Sequence, residues 1–565
     1  MSVAPAPGRS RAGFWGLAAS LGLVWIAFAA LSQGFVYGSA QGERPFLGLL
    51  GVLGLAFALY LVAAFRFWSE DSGGVRGRDI LLVALLLRVP LIFWSQPVQE
   101  IDYFRYLWDG RVLVNGVSPY RFSPADLDQW LEAAPEEGSS EARKLVAVLD
   151  RSPPIQTIFR SIDHREVPTI YPAASQLVFT TAAWLTPESA PVSTHLIVLR
   201  SILALFDLGV VALLLAILRR TGLPAGRAIA YGWCPLVLKE FANSSHMDVI
   251  AIFLVSASFL FAIRGLAPGP KSGRANAARN RPGKDVWIAA ALWSASVLAK
   301  WYPLILAPLY FSAGWRRWRW RVMLPASLGV ALVFAGQLAL RPGQDPASPS
   351  ASPADQFTGL RTFMGRWEMN DLVFSVVHEN LRPAAGAGQA QPPLRQPWYA
   401  LTPEPARHRW DAAVRATAAH FGVSASRLDP AFLTAQAISA ALILSLLLWL
   451  CLRPPPREED GARRLGWSVF ALLAAAWFLG ATQNPWYWAW ALPFIGFARS
   501  RVWLWVSGLA LVYYLRFWLI YHYPDPVWGG LNGRKIFDEV VIWGEHLPFL
   551  LVLGWLALRQ LRRAR

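Results

Sequence analysis

An all-α, polytopic integral membrane protein is the fold class this sequence predicts, on three observations. Of 565 residues, 55% are hydrophobic, the mean hydropathy is +0.35 and 29 residues are Trp, leaving too few polar side chains to cover a water-soluble globule. Apolar runs long enough to cross a hydrocarbon core of roughly 30 Å recur from end to end of the chain. Lys and Arg collect in short segments between those runs, as the positive-inside rule describes. The formal charge of +17 is therefore a signature of topology, and nucleic acid is not an expected partner. The two cysteines, Cys234 and Cys451, lie in or at the end of apolar runs and form neither a disulfide framework nor a cysteine metal site.

Taken in order, residues 1–95 are N-terminal transmembrane helices. The run 14–32 follows Arg9 and Arg11; with no small-residue cleavage site and many spans after it, it is a retained anchor rather than a cleaved signal. The run 45–65 returns to Arg66, Arg76 and Arg78, and 79–95 leaves again. Residues 96–192 are then an external loop with juxtamembrane helices. Within it, 170–187 is a helix that dips in or lies along the outer surface, since a full crossing there would put Arg219 and Arg220 outside.

Residues 193–341 are central transmembrane helices. The run 193–218 goes in, 225–243 goes out, and 247–264 returns to Arg264, Lys271, Arg274, Arg279, Arg281 and Lys284. The runs 286–299 and 302–314 form a hairpin with KWYP at its outer tip and RRWRWR at its inner end, and 322–340 exits. Residues 342–430 are a second external loop, rich in Pro, Ala, Gly and Gln and expected to be partly disordered. Its stretch FMGRWEMNDLVFS, 363–375, has helical and aromatic character and is expected to fold back toward the site. Residues 431–565 are C-terminal transmembrane helices with runs at 431–452, 465–482, 485–498, 501–521 and 539–558. The reading gives about fourteen spans with both termini on the arginine-rich side.

On this topology the motifs with chemical potential share the opposite side. They are IDYFRYLWDGR at 101–111, TIYP at 169–172, KEFANSSHMD at 239–248, KWYP at 300–303 and QNPWYW at 483–488. In the first, helical spacing puts Asp102, Arg105, Tyr106 and Asp109 on one face at i, i+3, i+4 and i+7. Taken alone, that is an interfacial helix with charges toward water. Two carboxylates at a membrane exit also suit a general base and a substrate-orienting acceptor.

Ionisable residues inside spans mark function by default. Arg88, Arg200, Lys239 and Lys300 are candidate cations for a lipid phosphate, which needs charge-assisted partners when it leaves water. The bland alternative is internal pairing, Arg200 with Asp207 and Lys239 with Glu240. His246 and Asp248 follow at the same turn, while Trp301, Asn484 and Trp486 join the interfacial aromatic tips. No cofactor is called for, and the residues leave open whether Asp102, Asp109, His246 and Asp248 gather around a divalent cation.

The ordered blocks DYFRYLWDGRVLVNGVSPYRFSP, VPTIYPAASQLVF, KEFANSSHMDV, LAKWYPLILAPL and QNPWYWAWALPF resemble the polyprenyl-phosphate-sugar-dependent glycosyltransferases of the GT-C fold, in particular the bacterial mannosyltransferase-like branch. The resemblance runs from Arg88 to about Phe494. It implies a GT-C-like bundle with a long first catalytic loop, a site on the outer face of a bacterial plasma membrane, Asp102 as catalytic base with Asp109 as second candidate, and inversion at the sugar carbon. It also implies a polyprenyl-phosphate-linked sugar, by likeness mannose, as donor, and a glycan or glycolipid as acceptor. The competing class is a lipid-linked sugar transporter or flippase, which needs a midplane site reached from both sides; gathering of the motifs at one face argues against it.

Overall fold

The computed structural model describes residues 7–36, 38, 40–69, 75–132, 140–266, 282–340, 367–382, 397–420, 429–453 and 461–564. Lys271, Arg274, Arg279, Arg281, residues 363–366 and most of the second external loop lie outside them. Among the described residues the chain is all-helical, with only isolated bridges in place of strands.

Among the described residues, eight helical stretches are long and apolar enough to cross a membrane: Arg11–Ser32, Phe46–Arg66, Val192–Arg220, Asp248–Leu266, Tyr302–Leu338, Pro430–Leu452, Gly461–Leu479 and Arg501–His522. They bury different shares of themselves. Asp248–Leu266 is 56% buried over its apolar window and Pro430–Leu452 only 17%, so the first lies inside the bundle and the second at its rim. Leu442, Leu444, Leu448 and Trp449 on the rim helix stay exposed, an outward apolar face that suits lipid rather than water.

The stretch Tyr302–Leu338 has 37 residues, about 55 Å if it were one straight helix and too long for a single crossing. It doubles back instead. Arg319 takes a positive φ of 54°, and a Cβ on Gly314 would sit 2.5 Å from Val322. Beyond the reversal, Met323–Leu338 runs in the same direction as Lys284–Ala299, with Gly329 against Trp293 and Gly336 against Leu298.

Two sequence expectations change. The run 225–243 is not one crossing helix but a chain of short turns: Ala225–Ala228, Ile229–Gly232, Pro235–Val237 and a π-turn Leu238–Asn243. Pro235 lacks the N–H that would continue the ladder from the preceding turn, and Ser245 leaves the helix at φ 65°. Such backbone is tolerated at membrane depth only inside protein; every residue from Ala228 to Ile252 is buried. The run 485–498 is likewise a short turn, Pro485–Trp488, followed by the 3-10 segment Leu492–Phe497. The segment at 170–187 forms Ala173–Leu185, 13 residues or about 20 Å, which is short of a crossing.

Asp248 opens and Arg264 nearly closes the helix Asp248–Leu266, so the two lie about 24 Å apart along its axis. Asp248, of the KEFANSSHMD motif, and Arg264 thus mark opposite ends of the bundle.

Candidate functional site

Asp102 is the first residue of the helix Asp102–Val114. That helix is clamped onto Ala173–Leu185 through Gly110, where a Cβ would lie 2.2 Å from the Phe179 carbonyl oxygen, so only glycine allows the approach. Tyr106 stacks on Phe179, with centroids 4.8 Å apart and planes at 10°, and its hydroxyl donates to Asp102 Oδ2 at 3.4 Å. The shared face of the first turn thereby fixes the carboxylate.

The turn after the buried broken segment comes to the same place. His246 Nδ1 lies 4.0 Å from Asp102 Oδ2 and His246 Nε2 lies 3.4 Å from Glu240 Oε2. Trp486 stacks on the imidazole at 3.9 Å and 17°, so that indole face is taken and is not open to a sugar. The two ring nitrogens face different carboxylates, which does not suit one shared cation. Among the described residues no three of His, Cys, Asp and Glu form a metal-holding group.

Lys300 pairs with Asp248 at 2.9 Å, and Trp490 Nε1 donates to Asp248 Oδ1 at 2.7 Å. The Lys300 ammonium also lies 5.0 Å from the Tyr487 ring centroid, and its side chain is 18% accessible. Trp301 and Tyr487 are half-buried beside it, whereas Asn484 is buried; Asn484 uses its carbonyl to accept from Trp477 Nε1 at 3.2 Å.

The other predicted cations are committed inside the fold. Lys239 is fully buried, 3.3 Å from Glu240, and donates to the Tyr514 hydroxyl, which itself donates to Glu240 Oε1 at 2.8 Å. Arg88 pairs with Asp207 at 2.6 Å and donates to the Gly232 carbonyl at 2.9 Å. Arg200 donates to the carbonyls of Ser95, Leu91 and Asn243. Gly232 and Asn243 are where the broken segment frees backbone oxygens, so both arginines serve as substitutes for missing helix hydrogen bonds. Their expected role as phosphate ligands gives way to this one, and Asp207 partners Arg88 rather than Arg200.

Arg105 reaches outward and donates to the carbonyls of Asp163 and His164 at 3.3 and 3.0 Å. The His164 ring lies 4.6 Å from Trp367. There the described part of the second external loop folds back: Met369 accepts from Gln483 N and donates to the Ala481 carbonyl, each at 2.9 Å. Five separate segments of sequence therefore meet around Asp102.

Asp102 has 45% of its side chain accessible yet is surrounded at longer range by protein, so approaching water reaches it past protein walls. Burial pushes its carboxyl pKa up; Lys300 pulls it back and Asp248 adds to the rise. Glu100, two residues earlier, is raised further by burial, with Lys239 opposing and Glu240 and Asp102 reinforcing. Sequence reading missed Glu100, Trp490 and Tyr514. Glu100 carried a signal, a second acid at the same membrane exit; Trp490 and Tyr514 are joined to the site only by tertiary contact.

Asp109 does not join Asp102. It is 2% exposed and accepts from Gln176 Nε2 at 3.0 Å. Burial raises its pKa to about 6 against Arg105 and the hydrogen bonds from Thr169 and Gln176. Between about pH 4 and pH 6 the folded chain then holds more protons on this group than the unfolded chain, so stability falls as pH rises through that window and is level above it. Asp109→Asn is expected to flatten that slope, raise stability above pH 6 by about 3 kcal/mol and the melting temperature with it, and keep activity within a few-fold. Tryptophan-fluorescence melts from pH 4 to 8 check the first two points; a hundredfold activity loss would return Asp109 to the chemistry.

Compared with known protein families, curated proteins and solved structures, the chain finds no match.

Proposed function

We propose that this chain is a membrane glycosyltransferase of the GT-C type, a bundle of about fourteen spans, that moves a sugar from a polyprenyl-phosphate carrier to a glycan or glycolipid acceptor on the outer face. The observation that carries the reading is the setting of Asp102: an accessible carboxylate at a helix start, oriented by Tyr106, beside His246 and under the electrostatic influence of the partly exposed Lys300. The outward assignment rests on the arginines at the other end of the bundle.

The chemistry follows from the groups. Asp102 takes the proton of an acceptor hydroxyl while that oxygen forms a bond to the anomeric carbon. The bond from that carbon to the phosphate oxygen breaks, and the electron pair leaves with the lipid phosphate. Attack opposite the leaving group inverts the carbon. Negative charge grows on the departing phosphate, where fixed cations stabilise most; Lys300 and Arg105 are the candidate cations that keep outward reach, while Arg88, Arg200 and Lys239 are engaged within. By family likeness the sugar is mannose.

The test is purified protein given a radiolabelled polyprenyl-phosphate sugar. Transfer of label to an acceptor supports the enzyme. Movement of the labelled lipid across a vesicle bilayer with no transfer supports a flippase and removes the proposal.

A further inference from the structure

At the end of the bundle away from Asp102 the helices form a half-open cavity of about 880 Å³ whose lining, among the described residues, includes Arg219, Arg220, Arg264, Arg316 and Arg464 and no carboxylate. Some of that charge is engaged. Arg264 lies 3.5 Å from Asp285, Arg316 donates to the carbonyls of Cys451 and Arg453, and Arg464 donates to the Arg453 carbonyl. Carbonyls orient the Arg316 guanidinium without neutralising it. Among the described residues Arg219 and Arg220 close the last turn of Val192–Arg220 with no ion-pair partner.

Apart from Ser312 and Ser468 the remaining wall is apolar, and it leads somewhere. Leu266, Ala313 and Leu465 line both this cavity and an adjoining groove of about 400 Å³. That groove runs between the helices Lys284–Ala299, Ala307–Trp318 and Met323–Leu338 and is lined by Trp293, Phe311, Val322 and Gly329 among others. A pocket for concentrated negative charge thus opens into a slot for hydrocarbon. The two halves match the two halves of one molecule.

We infer that this end of the bundle binds an anionic phospholipid from the surrounding leaflet, with its phosphate among the arginines and acyl chain in the adjoining groove. Basic pockets between transmembrane helices on the cytoplasmic side hold acidic headgroups by this logic. Guanidinium suits a phosphate better than ammonium does, because its planar fork offers paired donors. The groove favours a lipid over a free phosphate, which has no use for an apolar slot. The inference does not depend on the glycosyltransferase reading, since its readout is binding.

Native mass spectrometry of the full chain in detergent, with phosphatidylglycerol, cardiolipin or phosphatidylcholine added, tests it. An acidic lipid is expected to be retained at least tenfold better than phosphatidylcholine. Replacing Arg219, Arg220 and Arg316 together by Gln should weaken retention at least tenfold, and millimolar pyrophosphate should not displace the lipid. Equal retention of phosphatidylcholine overturns the proposal. So does displacement by pyrophosphate, which would assign the cavity to a soluble phosphate compound. Retention that appears only after Glu458, Glu459 and Asp460 are made neutral would assign it to the chain's own connecting loop. If the triple variant does not fold, the lipid comparison and the pyrophosphate competition on the unaltered protein still decide.

Discussion

Asp102→Asn is expected to lower sugar transfer a hundredfold or more, with the melting temperature and binding of the lipid donor left nearly unchanged. The amide keeps the shape of the carboxylate and still accepts from Tyr106, whose hydroxyl lies 3.4 Å from Asp102 Oδ2 in the parent. What it loses is basicity, and a positioned base contributes roughly 10²- to 10⁴-fold. The loss should appear in kcat rather than in KM, since proton transfer is made only in the transition state. Full activity in a folded Asp102→Asn protein would end the assignment.

A pH profile gives the same residue a second test. Burial raises the Asp102 pKa, so activity is expected to fall with decreasing pH at a midpoint above the ordinary carboxylate range. Lys300 is the charge that holds this value down, and Asp248 is one that pushes it up. Lys300→Met removes the opposing charge and also frees Asp248 from its 2.9 Å partner. Loss of the opposing charge moves the acid limb to higher pH. A merely structural lysine would lower activity at all pH values without moving the midpoint.

Much of the site was legible because membrane topology converts charge order into sidedness. Asp102, Tyr106, His246, Asp248, Lys300 and Trp486 lie in four segments far apart in sequence, yet positive-inside reasoning puts all of them at one end, and the structure draws them together. Helix-face arithmetic was less dependable. Asp109 shares a stripe with Asp102, but seven residues is about 10 Å of helix, enough for Asp109 to meet Gln176 instead.

The broken segment was hidden by composition. Hydropathy averages over residues and is blind to backbone, so 225–243 reads as one span even though Gly232 and Pro235 stand in its middle. Once the helix is broken, its freed carbonyls need donors, and that need explains Arg88 and Arg200. Neither demand can be read from the arginines' own surroundings in sequence. The reading that Arg200 pairs with Asp207 on the same helix fails for a related reason: the true partner, Arg88, lies 119 residues away on a neighbouring helix.

Asp207→Ala is therefore expected to destabilise the protein by about 3–5 kcal/mol, the cost of leaving a buried charge without its partner. The pair is 0% and 1% exposed, joined at 2.6 Å, and Asp207 also accepts from the Tyr231 hydroxyl at 2.9 Å. Arg88→Met should cost a similar amount, because it leaves the carboxylate alone and strips a donor from the Gly232 carbonyl, at 2.9 Å. The double variant Arg88→Met/Asp207→Ala removes both charges and should recover much of the loss. Recovery will not be complete: Gly232 O and Tyr231 Oη remain without partners, at about 1–3 kcal/mol each. Unfolding of the four proteins in mixed micelles closes the double-mutant cycle. A double variant as unstable as the sum of the singles would mean that the two residues act independently, and that the arginine is held by its backbone contacts rather than by the aspartate.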